Sequence, residues 1–206
     1  MPEVFDELFI RKIFNNNVIL SKNDNNKEIV LMGCGLAFGK RVGDEVDKSK
    51  IEKIFILESN DVLEKFKLLL EDVPMEHVSL SHDIIEYAKN ILGDELNDYI
   101  YITLTDHISY AIKQCAKNVN KPNKLIGEIK KFYTKEFEIG LKALEFIEDE
   151  TGYKMHEDEA GNIALHLINA QLSKDTDTVE DIYNITKKIE DILNIVKYTY
   201  NIELSI

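Results

Sequence analysis

Residues 11–41 read RKIFNNNVILSKNDNNKEIVLMGCGLAFGKR. Short β-branched or apolar runs alternate here with clusters of turn formers, and the pattern extends both ways. LFIRKIF (8–14) is followed by NNN, VILSK (18–22) by NDNNK, EIVLM (28–32) by GCGLAFGKRVGDEVD, and IEKIFIL (51–57) closes the series. Four short strands within about fifty residues predict an antiparallel sheet. A domain below roughly 60 residues is marginal on its own, so an apolar face of this sheet is expected to meet a second copy and make a homodimer.

The charge along the chain is uneven. Residues 8–57 hold nine Lys/Arg and six Asp/Glu, about +3, in a chain whose formal net charge is −13. The average argues against a surface that binds nucleic acid everywhere, while the split fits a compact anion-binding module joined to an acidic partner domain. Apolar runs are short and broken by charge, none approaching the ~20 residues of a membrane-spanning helix, and the acidic start MPEVFDELF is unlike a secretory signal. A cytoplasmic location is the expectation, with Cys34 and Cys115 as free thiols.

After Asn60 the apolar period changes from two to about 3.6. NDVLEKFKLLLEDV ends before Pro74, SHDIIEYAKNILG runs from a serine cap to a glycine stop, and NDYIYITLTDHISYAIKQCAKN makes a third helix. A long fourth helix, NKLIGEIKKFYTKEFEIGLKALEFIEDETG, stops at Gly152, and HEDEAGNIALHLINAQL is a fifth with acidic residues in its first turn. The expected fold class is therefore α+β and multidomain: a small four-stranded antiparallel sheet, then an all-α five-helix bundle. Beyond the polar break SKDTDT, a further amphipathic helix without a partner is expected up to Ile206.

Three chemistries compete for GCGLAFGKR (33–41). Cys34 alone cannot build a metal site, because structural zinc takes four ligands. A phosphate loop would need a helix to follow, whereas VGDEVD and a strand follow. There remains a glycine-rich turn carrying Phe38 and the Lys40–Arg41 pair, either a plain turn with Phe38 in the core or a surface where a ring stacks on RNA bases and cations meet phosphates. Asn15–Asn17 are open to the same two readings: a hairpin turn, or carboxamides that read base edges and 2′-hydroxyls, with Lys12 beside them for a phosphate.

Of the five histidines, His77, His82 and His156 fall at helix starts or in loops and are expected to be solvated. His107 shares a helical stripe with Ile100, Leu104, Ala111 and Gln114, and His166 shares one with Glu159, Asn162 and Asn169. Each is either a satisfied structural histidine or an acceptor of a phosphoryl group on nitrogen. Asp106-His107 also invites a metal-dependent phosphohydrolase reading, but no further His or Asp ligands can be placed by spacing.

RKIFNNNV, MGCGLAFGKR, GDEVD, KIEKIF, LTDHISYAI and EDEAGNIALHLINAQL, in this order, resemble the BglG/SacY/LicT-type transcriptional antiterminators from Ile10 onward. The resemblance implies a co-antiterminator RNA-binding domain at 8–57, dimeric, a linker at 58–65, and a first phosphotransferase-system (PTS) regulation domain at 66–172. Residues 173–206 would then be a linker and the opening helix of a truncated second regulation domain. It places Lys12, Asn15, Asn17, Gly33, Gly35 and Phe38 against an RNA hairpin; Cys34, standing where some members carry arginine, and the Lys40–Arg41 pair of the same loop complete the expected RNA-binding set. It makes His107 and His166 phosphorylation sites, with Asp106 in support, and implies a sugar-specific permease and HPr as phosphoryl donors. A non-enzymatic regulator without cofactor or metal is the implied type. The alternatives are the phosphohydrolase and a protein–protein regulatory module that has lost RNA binding.

Overall fold

The computed structural model describes residues 7–57, 59–93, 96–119 and 122–172. It divides into two compact units, one up to Ser79 and one from Leu80 onward. The helix expected after SKDTDT lies outside the described residues.

In the first unit, β1 (Lys12–Asn15), β2 (Val18–Lys22), β3 (Glu28–Met32) and β4 (Lys53–Phe55) form an antiparallel meander in sequence order. The register decides which side chains share a face, since neighbours along a strand point oppositely. Ile13 pairs with Ile19, Ile19 with Leu31, and Leu31 with Ile54. On this face Leu8, Ile10, Leu36, Ala37 and Val46, all from segments outside the strands, complete a buried cluster.

The other face carries Leu20, Val30 and Phe55 in one row and Val18 with Met32 in the next, all buried. It is covered within the chain by α1 (Asn60–Asp72), which Ser59 caps by accepting from Val62 N. The Phe66 ring lies 5.0 Å from that of Phe55. Lys67 Nζ reaches Glu28 at 2.6 Å and Glu64 at 2.7 Å, and Lys12 Nζ reaches Glu71 at 3.2 Å. Burial of a phenylalanine contributes about 1.5–3 kcal/mol, so Phe66 is a main anchor of this layer. One apolar face of the sheet is thus covered by the chain's own helix, and α1 begins inside the stretch expected to be linker.

α2 (Met75–Leu92) starts earlier than Ser81, where the sequence suggested a cap. Pro74 sets its first turn, its carbonyl accepting from His77 and Val78, and Ser81 is buried inside the helix. α3 (Ile100–Cys115) follows. The long fourth helix is two: α4 (Ile126–Phe132) and α5 (Thr134–Thr151). Tyr133 leaves helical geometry at φ −128°, ψ 49°, and the Thr134 hydroxyl bonds back to the Lys130 carbonyl at 3.0 Å. Such a back-bond competes with the helical ladder and bends it. Tyr133 instead packs against the cluster of Leu125, Ile129, Phe137, Ala160, Ala164, Leu165 and Ile168. Gly152 ends α5 with a left-handed φ of 72°, and α6 (Glu157–Leu172) opens with three acidic residues. The described part thus has six α-helices where five were expected. No described helix is long and apolar enough to cross a membrane.

Candidate functional sites

In the first unit the hairpin turn at Asn15–Asn17 and the glycine-rich loop are fastened together. Gly33 N donates to Asn17 O at 2.9 Å and Ala37 N to Asn16 O at 2.9 Å. Gly35 N donates to the Asn17 side-chain Oδ1 at 2.8 Å. Asn15 Oδ1 accepts from Asn17 N and Val18 N, closing the turn. The carboxamide oxygens of Asn15 and Asn17 therefore shape the turn and its link to the loop, as the hairpin-turn reading expects.

The glycines have separate reasons. A Cβ on Gly33 would lie 1.8 Å from the Lys50 carbonyl oxygen, so only glycine lets the loop pass the chain that enters β4. Gly35 has φ +62°, a left-handed turn. Two residues that the sequence reading passed over hold the loop from below: Glu52 accepts from Cys34 N at 3.0 Å, and Lys50 Nζ approaches Gly35 O at 3.4 Å. Their signal in the sequence is slight, a Lys-x-Glu just before a strand.

Phe38 is 74% exposed, which rules out the reading that puts it in the core. Cys34 and Arg41 on the same loop are also exposed, and an openly displayed ring on a loop that carries cations has the chemistry to stack on a base. Lys40 Nζ donates to the Glu45 carbonyl at 3.1 Å, and Arg41 N to Asp44 Oδ2 at 2.8 Å, which folds the cationic end of the loop back on itself. Lys12 lies 4.7 Å from the Phe14 ring centre and is bridged to Glu71. Both partners are about half exposed, so the ion pair is worth at most about 1 kcal/mol and a phosphate can replace it.

In the second unit α3 and α6 bring His107 and His166 together, ring centres 4.6 Å apart. His107 Nε2 is hydrogen-bonded to Glu159 Oε1. Glu159 Oε2 accepts from Asn162 Nδ2 at 3.1 Å, Asn162 Oδ1 from Asn123 Nδ2 at 2.9 Å, and Asn123 Oδ1 from Leu125 N at 2.8 Å. Burial works to raise the Glu159 pKa, but the hydrogen bond and charge of His107, with Asn162, hold it below the ordinary carboxylate value. His166 is half-buried, with its Nδ1 enclosed and without a hydrogen-bond partner. Burial first, and His107 second, press its pKa well below the usual histidine value.

A cavity of about 520 Å³ opens beside His107, lined among others by Gln114, Cys115, Lys154, His156 and Glu159. Asp106 is exposed, and the carboxylate that meets His107 is Glu159, because adjacent helical residues diverge by about 100°. Among the described residues no three His, Cys, Asp or Glu side chains converge as a metal set. Of the histidines expected to be solvated, His82 is mostly buried beside Tyr101, 6.2 Å between ring centres, because α2 begins upstream of it.

Residues 8–64 match the CAT RNA binding domain and residues 82–170 the PRD domain. The chain is 50% identical over 196 residues to the transcription antiterminator LicT of Bacillus subtilis (strain 168), spanning 95% of this chain and 70% of that protein. It is 45% identical over 194 residues to the beta-glucoside operon antiterminator of Dickeya chrysanthemi, spanning 94% of this chain and 68% of that one. The crystal structure of GlcT CAT-PRDI superposes with a TM-score of 0.71 at 34% identity, covering 81% of this chain and 99% of that one. The chain belongs to the family of transcription antiterminators in which a CAT RNA-binding domain is followed by a PRD domain.

Proposed function

We propose that this chain binds an RNA hairpin through the fastened loops 15–17 and 33–41, and that phosphorylation of His107 and His166 by PTS proteins controls that binding. The observation that carries the RNA part is the exposed Phe38 ring on a loop locked to Asn16 and Asn17 by three hydrogen bonds. A rigid, glycine-shaped loop loses little freedom on binding, so its stacking and amide contacts go into affinity. Lys12, Asn15, Asn17, Gly33, Cys34, Gly35, Phe38, Lys40 and Arg41 form the interface, with Lys50 and Glu52 supporting it.

The hairpin overlaps a terminator, so that its capture lets transcription of sugar-utilisation genes continue in the cytoplasm. The RNA-binding module is 8–57 and the regulation domain 66–172, and the active species is a homodimer. A sugar-specific permease and HPr supply the phosphoryl groups. Each adds roughly −1.5 to −2 charges, and the closeness of the two rings makes any added charge felt by both.

The test uses the full chain and a library of RNA hairpins with randomised loops, with duplex DNA as control. Asn17→Ala and Phe38→Ala are each expected to weaken binding to the selected hairpins by tenfold or more, since base–aromatic stacking is worth about 1–3 kcal/mol. Unchanged binding in both variants would overturn the assignment. Sedimentation of the same samples reads the dimer. For the phosphorylation part, His107→Ala with His166→Ala should abolish phosphohistidine in this domain, and full labelling of the double variant would place the acceptors elsewhere.

A further inference from the structure

The structure assigns to Asn123, Asn162 and Glu159 a task at His107: they fix its tautomer, so that the incoming phosphoryl group is taken by Nδ1. This rests on the reading of His107 as an acceptor and goes beyond it, naming the atom that reacts and the residues that choose it. An uncharged imidazole carries one proton, and the nitrogen that lacks it is the nucleophile. Which nitrogen that is depends on the partner of the other one.

Here the partners can be followed to a fixed end. Leu125 N is a backbone amide and can only donate, so the Asn123 atom that meets it is the oxygen. The Asn123 NH2 then faces Asn162, which must present its own oxygen. The Asn162 NH2 in turn faces Glu159 Oε2. Glu159, ionised by its environment, presents Oε1 to His107 Nε2, which must therefore carry the proton. Nδ1 is left with its lone pair. Gly161 guards the chain, since a Cβ there would sit 2.9 Å from Asn123 Nδ2 and displace it.

The P–N bond of the donor breaks and its electron pair returns to the donor nitrogen, while the Nδ1 lone pair forms the new P–N bond. The proton stays on Nε2, and the positive charge that the ring acquires faces the Glu159 carboxylate. A carboxylate so placed stabilises the product ring as well as orienting the reactant. Glu159 is a positioning residue, because it touches His107 and not the phosphoryl group.

The experiment follows the proton and the phosphorus separately, on the full chain with 15N-labelled histidine and phosphoramidate as a small P–N donor. In the wild-type chain, nitrogen NMR should show His107 protonated at Nε2, and phosphorus NMR should show phosphohistidine at Nδ1. In Glu159→Gln the single side-chain oxygen is claimed by Asn162, the amide NH2 turns to His107, and the tautomer inverts. Nδ1 labelling at His107 should then fall at least tenfold. Glu159→Gln combined with Asn162→Ala frees that oxygen to face His107 and should restore the Nε2 proton and the Nδ1 product, a rescue that general loosening of the fold would not give. A wild-type proton on Nδ1, a wild-type phosphoryl group on Nε2, or an unchanged isomer in Glu159→Gln would each overturn the proposal. If the wild-type ring is protonated on Nε2 and takes no label, the acceptor reading itself fails, and the nitrogen spectrum tells that failure from the others.

Discussion

Replacing Gly33 by alanine should disable the 33–41 loop, and the structure sets the size of the effect. The new Cβ would lie 1.8 Å from Lys50 O, 2.9 Å from Lys50 C and 3.2 Å from Glu52 N, all backbone atoms that cannot swing aside. Ordinary contact begins near 3.4 Å, so one strand of backbone must retreat by well over an ångström. That movement strains the bonds Gly33 N–Asn17 O and Cys34 N–Glu52 Oε1, and with them Gly35 N–Asn17 Oδ1. Overpacking costs about 1–3 kcal/mol and each lost hydrogen bond about 1 kcal/mol, giving about 3 kcal/mol in all. Gly39→Ala is the control: unlike Gly33 it has positive φ, +72°, but a Cβ there meets nothing within 4 Å, so it carries only left-handed strain of about 1–2 kcal/mol. The assay is amide hydrogen exchange at Gly35 and Ala37 alongside hairpin affinity. At 1.4 kcal/mol per tenfold, Gly33→Ala should speed exchange by more than about 100-fold and Gly39→Ala by about 5- to 30-fold. Equal effects of the two substitutions would refute the close-approach argument.

Phe66→Ala should cost the first unit about 3–5 kcal/mol by opening a cavity over Phe55, read as a lower denaturation midpoint with the second unit's transition unchanged; a loss below about 1 kcal/mol would mean that α1 is not the cover of that face. His166 gives the second unit a pH dependence. Its folded pKa lies below the unfolded value near 6.5, so the stabilising contribution is complete above that value and is lost as pH falls from about 6.5 toward the folded pKa. The slope should reach up to about 1.4 kcal/mol per pH unit in urea titrations and flatten in His166→Gln, whereas an unaltered slope would assign the acid sensitivity to other groups.

The sheet was legible because its strands are short, β-branched and separated by unambiguous turn residues, and the observed order and antiparallel pairing follow that text. Helix positions were legible from period and caps, most clearly at Gly152 and at the acidic start of α6. Breaks and starts were less so. The α4–α5 break depends on one Thr134 hydroxyl choosing the Lys130 carbonyl, and the start of α2 on Pro74 outweighing a serine that looked like a cap. Coverage of the sheet by α1 could not be read from a fifty-residue window, because the covering face comes from the next element.

Within the sites, chain-local features were visible: the glycines, Phe38, the asparagine turn, and the stripe that joined His166 to Glu159 and Asn162. What the sequence hid was partnership across elements. Glu52 under Cys34 and Asn123 behind Asn162 are separated from their partners by 18 and 39 residues, and nothing local beyond a Lys-x-Glu at the first marks them. Asp106 attracted attention through adjacency, which on a helix means pointing elsewhere.

The most direct test of the central claim is ultraviolet crosslinking of the full chain to the RNA it binds in cells, with both the RNA and the crosslinked peptides sequenced. Hairpin-forming leader sequences should be found joined to residues 33–41, principally at Phe38 and Cys34, with a second contact at residues 12–17. Crosslinks confined to the helical unit, or RNA without a shared hairpin, would contradict it.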